Sequence, residues 1–218
     1  MREITKRREP ASLARHRKID KTDYEGYTGH QELRESLAAE QRYICCYCMR
    51  RISPHDGTMK IEHWRSASGY KDLRLVYGNL LGACFGGSAK RQPPETQHCD
   101  ARKSDKLLKY NPAKPEHRIE RIIFYGPDGT ISSSDAEFNT QLDDVLNLNL
   151  AFLKAQRKSV YDAVIDWSEI YRAQHHRSIP KDLLERRLRK ILGNDGEALQ
   201  PFAPVAAWWL QRRISRLK

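Results

Sequence analysis

The residues able to do chemistry in this 218-residue chain crowd between Cys45 and Lys103. Cys45 and Cys48 form C-x2-C, a spacing that lets two sulfurs converge on one ion, and Cys84 and Cys99 can complete a tetrahedral set of four. Thiolates are soft donors that select zinc over magnesium or calcium. A single C-x2-C is compatible with ordinary buried cysteines; four thiols placed around Glu62-His63 and Asn79 favour a structural zinc. Cys46, the odd fifth, reads as a small buried residue.

The residues inside that frame suit phosphodiester hydrolysis, which needs a base to activate water and a cation to stabilise charge on the phosphate and leaving oxygen. His63 is the candidate base, because an imidazole with an ordinary pKa near ~6.5 is largely neutral at physiological pH. Glu62 and Asp100 are hard oxygen donors suited to Mg2+ or Mn2+. Asn79 can hydrogen-bond the backbone of the loop carrying His63 and fix its aim, and Lys103, three residues beyond Asp100, can meet a phosphate. Neighbours on a strand point to opposite faces, so Glu62 and His63 share one site only if the strand ends or bends there.

The elements that must position these groups follow from the flanking pattern. Thr28-x-x-Gln31 has the form of a capping box, and Leu33, Leu37 and Ile44 recur at helical spacing, so a helix is predicted to run into the cysteine knuckle. Met49–Ile52 and Thr58–His63 flank Ser53-Pro54-His55-Asp56-Gly57, which predicts a hairpin ending at His63 with an exposed His55 in its turn. Residues 65–77 form a loop whose Arg65, Lys71 and Arg74 are candidate contacts to a nucleic-acid backbone. A helix from Asp100 through Leu107 and Leu108 is stopped by Asn111-Pro112. Gly126-Pro127-Asp128-Gly129 marks a second hairpin. Beyond it, a helix capped by Ser134-x-x-Glu137 carries Phe138, Leu142, Val145 and Leu146, and a second, from about Asn149, carries Leu150, Leu153, Val160, Val164 and Tyr171; the two stripes are predicted to pack on each other. Pro180 and Gly193 bracket a third helix, and Trp208-Trp209, beside Arg212, Arg213 and Arg216, lie in a fourth as core or as a docking point.

Composition narrows the partners. A formal charge of +11 with 39% hydrophobic residues describes a chain that can bury a core and attract polyanions, so nucleic acid is favoured over membrane. No run of about eighteen apolar residues and no signal-peptide core near Met1 is present, which gives a cytoplasmic expectation with reduced thiols free for metal. The basic segment 1–27 reads equally as an arm contacting phosphates and as a solvated terminus.

Glu62-His63, Asn79 and Asp100, interleaved with Cys45, Cys48, Cys84 and Cys99, resemble the HNH endonuclease motif on its ββα-metal fold, in the subclass with a zinc knuckle. Where that subclass ends in C-x2-C-N-x2-K, this chain has Cys84, fourteen further residues rich in Gly and Pro, then Cys99-Asp100-Ala101-Arg102-Lys103. Asp100 thus stands at the family's third motif position, and the insertion leaves His98 as an alternative ligand to Asp100 or Cys99. Arg8-Glu9-Pro10, Glu40-Gln41, Ile61-Glu62-His63-Trp64, Tyr77-Gly78-Asn79-Leu80-Leu81 and Val145-Leu146-Asn147-Leu148-Asn149 extend the resemblance, over about residues 1 to 170, to the HNH subunit of Septu-type anti-phage systems, also found beside retrons. It implies a nuclease effector working with an ABC/SMC-like ATPase.

The expected architecture is α+β, with a basic arm and helix over 1–44, a ββα-metal core with a four-cysteine zinc knuckle over 45–110, and a hairpin plus helical region over 111–218. The expected activity is metal-dependent cleavage of nucleic acid, DNA before RNA, by His63, Asn79 and Asp100. The rival expectations are a nuclease effector that cuts RNA such as tRNA, a zinc-binding nucleic-acid module without catalysis, and a scaffold subunit with a vestigial site.

Overall fold

A computed structural model describes residues 1–19, 23–88 and 93–217 and shows a mixed α+β chain, mostly helical, with two small hairpins. The basic N-terminal segment packs inward because apolar anchors are spaced among its charges. Met1, Ile4 and Leu13 are buried, and the Ile4 amide donates to the Pro112 carbonyl at 2.8 Å. Lys6 reaches the Glu40 carboxylate and, at 2.9 Å, the Leu80 carbonyl, so this cation is used internally.

Helix α1, Ala11–His16, leads to α2, His30–Glu40, which buries Leu33, Leu37 and Ala38 on one face. The Thr28 capping box does not form: Gly29 is the N-cap, with no side-chain cap. Glycine suits this point because α1 and Tyr27 crowd it; an added Cβ would lie 2.6 Å from Ser12 Oγ and 2.5 Å from Tyr27 Oη. The helix ends before Ile44, since Arg42 and Tyr43 adopt φ values of 53° and 61° that cannot continue it.

Strand β1, Met59–His63, pairs antiparallel with β2, Leu80–Cys84, in the register Met59 to Cys84 and His63 to Leu80. The predicted partner of β1, residues 49–52, supplies only one isolated bridge, Arg51 to Ile44. Two features decide against it. Met49 has φ 68°, which interrupts extension, whereas Leu80–Cys84 is apolar and buried throughout and fills the inner position. The Gln41 side-chain amide takes the place of a third strand on β2, accepting from the Gly82 amide at 2.6 Å and donating to its carbonyl at 2.7 Å. After β2, helix α3 spans only Cys99–Lys103. It stops short of the predicted Leu107 and Leu108 because Ser104 turns to φ 49°, leaving Leu107 47% exposed and Leu108 buried.

A helical turn, α4, Ile119–Ile122, precedes the second hairpin, β3, Ile123–Tyr125, with β4, Ile131–Ser133. Its turn ends at Gly129, with φ 83°, where an added Cβ would meet the Lys154 carbonyl at 2.0 Å. Gly129→Ala is therefore expected to lower stability by about 2–3 kcal/mol, combining left-handed strain with a backbone clash. Urea unfolding checks it, and an unchanged midpoint would deny the close approach.

Asp135, one residue later than the expected Ser134, caps α5, Ala136–Asp144, by accepting from the Phe138 amide at 2.9 Å. Helix α6, Ala151–His175, is followed by α7, Lys181–Leu192, which starts after Pro180 and ends at Gly193, and by α8, Ala203–Ser215. The stripe of α5 packs on β4 and shares the main core with Leu153 of α6, while the later part of the α6 stripe and α7 pack on α8, where Val164, Leu184, Ala206 and Leu210 share a second core. Trp208 meets Tyr125 edge-on at 5.7 Å, with Arg212 over its ring, so this tryptophan packs, half-buried, against the core.

Candidate functional site

The chain builds a four-sulfur cluster from three places. The knuckle after α2 supplies Cys45 and Cys48, the end of β2 supplies Cys84, and the first residue of α3 supplies Cys99. All four are buried, and their sulfurs lie within 4.8 Å of one another, at 3.9 Å for Cys45 to Cys99 and 3.6 Å for Cys48 to Cys84. A tetrahedral zinc with bonds near 2.3 Å sets its sulfurs about 3.8 Å apart. The donor set therefore fits zinc. Cys46 is buried but not among the four. His98 stands at the edge of the quartet, its Nδ1 3.1 Å from Cys99 Sγ and 4.0 Å from Cys84 Sγ, so it adjoins the cluster without replacing Cys99.

The inserted segment is tied down by the turn after α5. The Cys99 amide donates to the Leu146 carbonyl at 2.9 Å, and the Asn147 amide donates to the Glu95 and Gln97 carbonyls, both at 2.9 Å. This gives the Leu146-Asn147-Leu148-Asn149 string a local purpose, holding the fourth cysteine in place across the insertion.

His63 ends β1 with its Nε2 3.0 Å from the Arg74 carbonyl. A carbonyl only accepts, so Nε2 carries the proton and Nδ1 keeps a lone pair. The Tyr24 ring packs edge-on against the imidazole at 4.7 Å. Burial pushes the His63 pKa below its ordinary value, with the Lys103 and Arg74 charges adding to it, which favours the neutral form. Asn79 locks the adjacent loop: its Oδ1 accepts from the Arg65 amide at 2.8 Å, and its Nδ2 donates to the Arg65 and Leu73 carbonyls at 3.0 and 3.2 Å.

Strand alternation places Lys60 and Glu62 on the face toward α3 and turns His63 away from them. Glu62 accepts from Tyr47 Oη at 2.8 Å and pairs with Lys103 Nζ at 2.9 Å, while Asp100 is paired with Lys60. Burial pushes the Glu62 carboxyl up to about 8, with Asp100 adding to the rise and Lys103 opposing it. Asp100 is held below the usual carboxylate range: burial works against this, but hydrogen bonds with Glu62 and Lys60 prevail.

The structure sets the two expected divalent-ion ligands, Glu62 and Asp100, against each other on the α3 face, each also paired with a lysine, and the expected base His63 on the opposite face. No third His, Cys, Asp or Glu joins that pair, and the four cysteines form the one group of three or more metal-suited residues among the described residues. Lys103 does not face a phosphate, being 1% exposed and donating to the His63 carbonyl at 3.1 Å behind the strand. The other cations stay near the surface. Arg65 lies over Trp64 at 4.3 Å, Arg74 donates to the Ala67 carbonyl at 2.6 Å and pairs with Glu25 at 3.1 Å, and Lys71 is exposed. Lys71 and Arg74 line a groove of about 430 Å3 with Arg17, Tyr24, Asp23 and Asp72, and His63 adjoins it through the Tyr24 ring and the Arg74 carbonyl.

Sequence reasoning passed over Tyr24, Tyr47 and Lys60. Lys60 was findable, since a residue two before Glu62 on a strand shares its face, and Tyr47 sits inside the knuckle. Nothing in the local pattern marks Tyr24.

The fold and the cluster together define an α+β protein with a buried four-cysteine centre suited to zinc. No family model matches the chain, and no curated protein matches it. Among the described residues no helix is long and apolar enough to cross a membrane.

Proposed function

We propose that this chain is a zinc-supported nuclease of the HNH type, hydrolysing nucleic-acid phosphodiesters with His63 as general base. The observation that carries the reading is His63 itself: an imidazole kept neutral by burial, its Nε2 fixed by a carbonyl and its Nδ1 left to accept a proton, beside a groove with exposed Lys71. The β1–β2 hairpin followed by α3, with zinc ligands at the end of β2 and the start of α3, supports the ββα-metal assignment. In this reading His63 takes a proton from water as it attacks phosphorus, Asn79 holds the loop that aims the imidazole, and Lys71 and Arg74 draw the phosphate backbone into the groove.

Of the donors that the family resemblance implies for Mg2+ or Mn2+, Glu62 and Asp100 lie against each other but are paired with Lys103 and Lys60, and no third donor joins them, so no step is assigned to such an ion. DNA is the favoured substrate and an ABC/SMC-like ATPase the favoured partner, both on the resemblance. The test is to incubate the full chain, alone and with an ATPase of that class, with DNA and RNA pools, with and without Mn2+. Strand cleavage, strongest on DNA, is the expected result. Intact substrates under every condition would leave a zinc-binding module as the reading.

A further inference from the structure

Arg157 heads the largest side chains buried without exposure in the described core, and among those residues it makes no ion pair. It projects from α6. Its Nε donates to the Gly129 carbonyl at 2.6 Å, and its Nη2 donates to the Leu148 carbonyl at 2.7 Å and to Asn149 Oδ1 at 3.2 Å. Its Nη1 is buried with no hydrogen-bond partner. A guanidinium stays charged inside a protein, and an uncompensated charge there is strongly unfavourable. Neutral acceptors ease that burden without cancelling the charge. A negative charge within reach would offset that cost.

The four-cysteine centre can provide it. Zinc held by four thiolates carries two net negative charges in a buried place, an equally unfavourable isolated state. The two charges are joined through one short turn: Leu146 accepts from the Cys99 amide at 2.9 Å, and two residues on Leu148 accepts from Arg157. The first turn of α6 also touches the cluster's edge, with Phe152 5.4 Å from the His98 ring. Cys48, Cys99 and the Asp128 carboxylate all lie within electrostatic reach of the guanidinium.

We propose that Arg157 is the counter-cation of the zinc centre, so that α6, nearly sixty residues beyond the last cysteine ligand, belongs to the support of the metal site. Zinc loading and the seating of the C-terminal helices are then coupled. The inference rests on the zinc assignment and not on the nuclease reading, and its test needs no cleavage.

The experiment compares the full-length zinc protein with Arg157→Met, which keeps bulk without charge, and Arg157→Lys, which keeps charge without the guanidinium fork. Zinc affinity is read by competition with a chromogenic chelator, and the Co2+-loaded proteins are compared by their sulfur-to-cobalt charge-transfer band. Arg157→Met is expected to bind zinc about 10- to 100-fold more weakly, the range typical of residues that support metal ligands, and to shift the band. Arg157→Lys should stay within about threefold of wild type. An Arg157→Met protein with wild-type zinc affinity and an unshifted band overturns the proposal. So does equal weakening in both variants with the band unmoved, which would assign Arg157 to packing alone. Should Arg157→Met not fold, Arg157→Lys decides: near-wild-type zinc affinity and band support the charge role, and loss of tenfold or more refutes it.

Discussion

Cys45→Ser and Cys48→Ser are expected to yield protein that contains no zinc and does not reach the native fold. The magnitude makes this a loss of structure and not an adjustment. Apparent binding free energies for structural zinc are about 10–16 kcal/mol, comparable with or larger than the roughly 5–15 kcal/mol that stabilises a whole domain. The four sulfurs also tie together segments distant in sequence, namely the knuckle, β2 and α3, so losing one ligand loosens three elements at once. Cys84→Ser and Cys99→Ser should behave alike, since both sulfurs lie inside the quartet. His98→Ala should keep its zinc, because the imidazole only borders the cluster. Acid should act in the same direction as the cysteine substitutions. The ligands bind as thiolates, so zinc contributes its stabilisation at neutral and higher pH and is released as pH falls and protons compete for sulfur. Metal analysis and far-ultraviolet circular dichroism check both. A folded, fully helical Cys45→Ser protein, or wild-type protein purified without near-stoichiometric zinc, would refute the four-cysteine centre.

What the sequence disclosed depends on how local the physics is. The cysteine cluster was legible because metal chemistry restricts which residue types can serve, and C-x2-C already implies a shared ion. The β3–β4 hairpin was legible through Gly126-Pro127-Asp128-Gly129, and α7 through Pro180 and Gly193, because turns and caps place demands on single residues. Pairing choices were not. The turn composition of Ser53–Gly57 makes residues 49–52 the nearest candidate to pair with β1, and what decides for Leu80–Cys84 is the left-handed backbone at Met49 and the burial of β2 on both faces. The stripes on α5 and α6 show that each has an apolar face, but nothing in either says that α8 will cover the later part of α6 while β4 covers α5. The candidate site divides the same way. An asparagine amide suited to bonding the backbone of the loop after His63 could be read from residue type, and Asn79 does bond Arg65, whereas the cover of Asp100 by Lys60 and of Glu62 by Lys103 joins residues about forty apart and appears only once β1 and α3 are packed.

His63→Ala is expected to lower single-turnover cleavage by about 10²- to 10⁴-fold, the usual worth of a positioned general base, while zinc content, fold and nucleic-acid binding remain near wild type. Binding should survive because the groove cations Arg17, Lys71 and Arg74 are untouched. Fold should survive because the lost side chain makes one hydrogen bond, to the Arg74 carbonyl, at the open end of β1, and Asn79 still ties the neighbouring loop. The pH dependence gives a sharper signature than the rate alone. A base works when neutral, so the wild-type rate should rise with pH through the His63 pKa and then level. Burial lowers that pKa, so the rise should be complete at a lower pH than an ordinary histidine near ~6.5 would give. Tyr24→Ala opens the imidazole to water, relieves part of the burial and should move the limb upward toward the ordinary value. Asn79→Ala should lower the rate through orientation and leave the limb in place, since Asn79 bonds the loop backbone and not the imidazole. His63→Ala should erase the limb altogether. Wild-type and His63→Ala proteins that cut equally fast across the pH range would remove His63 from the chemistry and return the chain to a zinc-stabilised binding role.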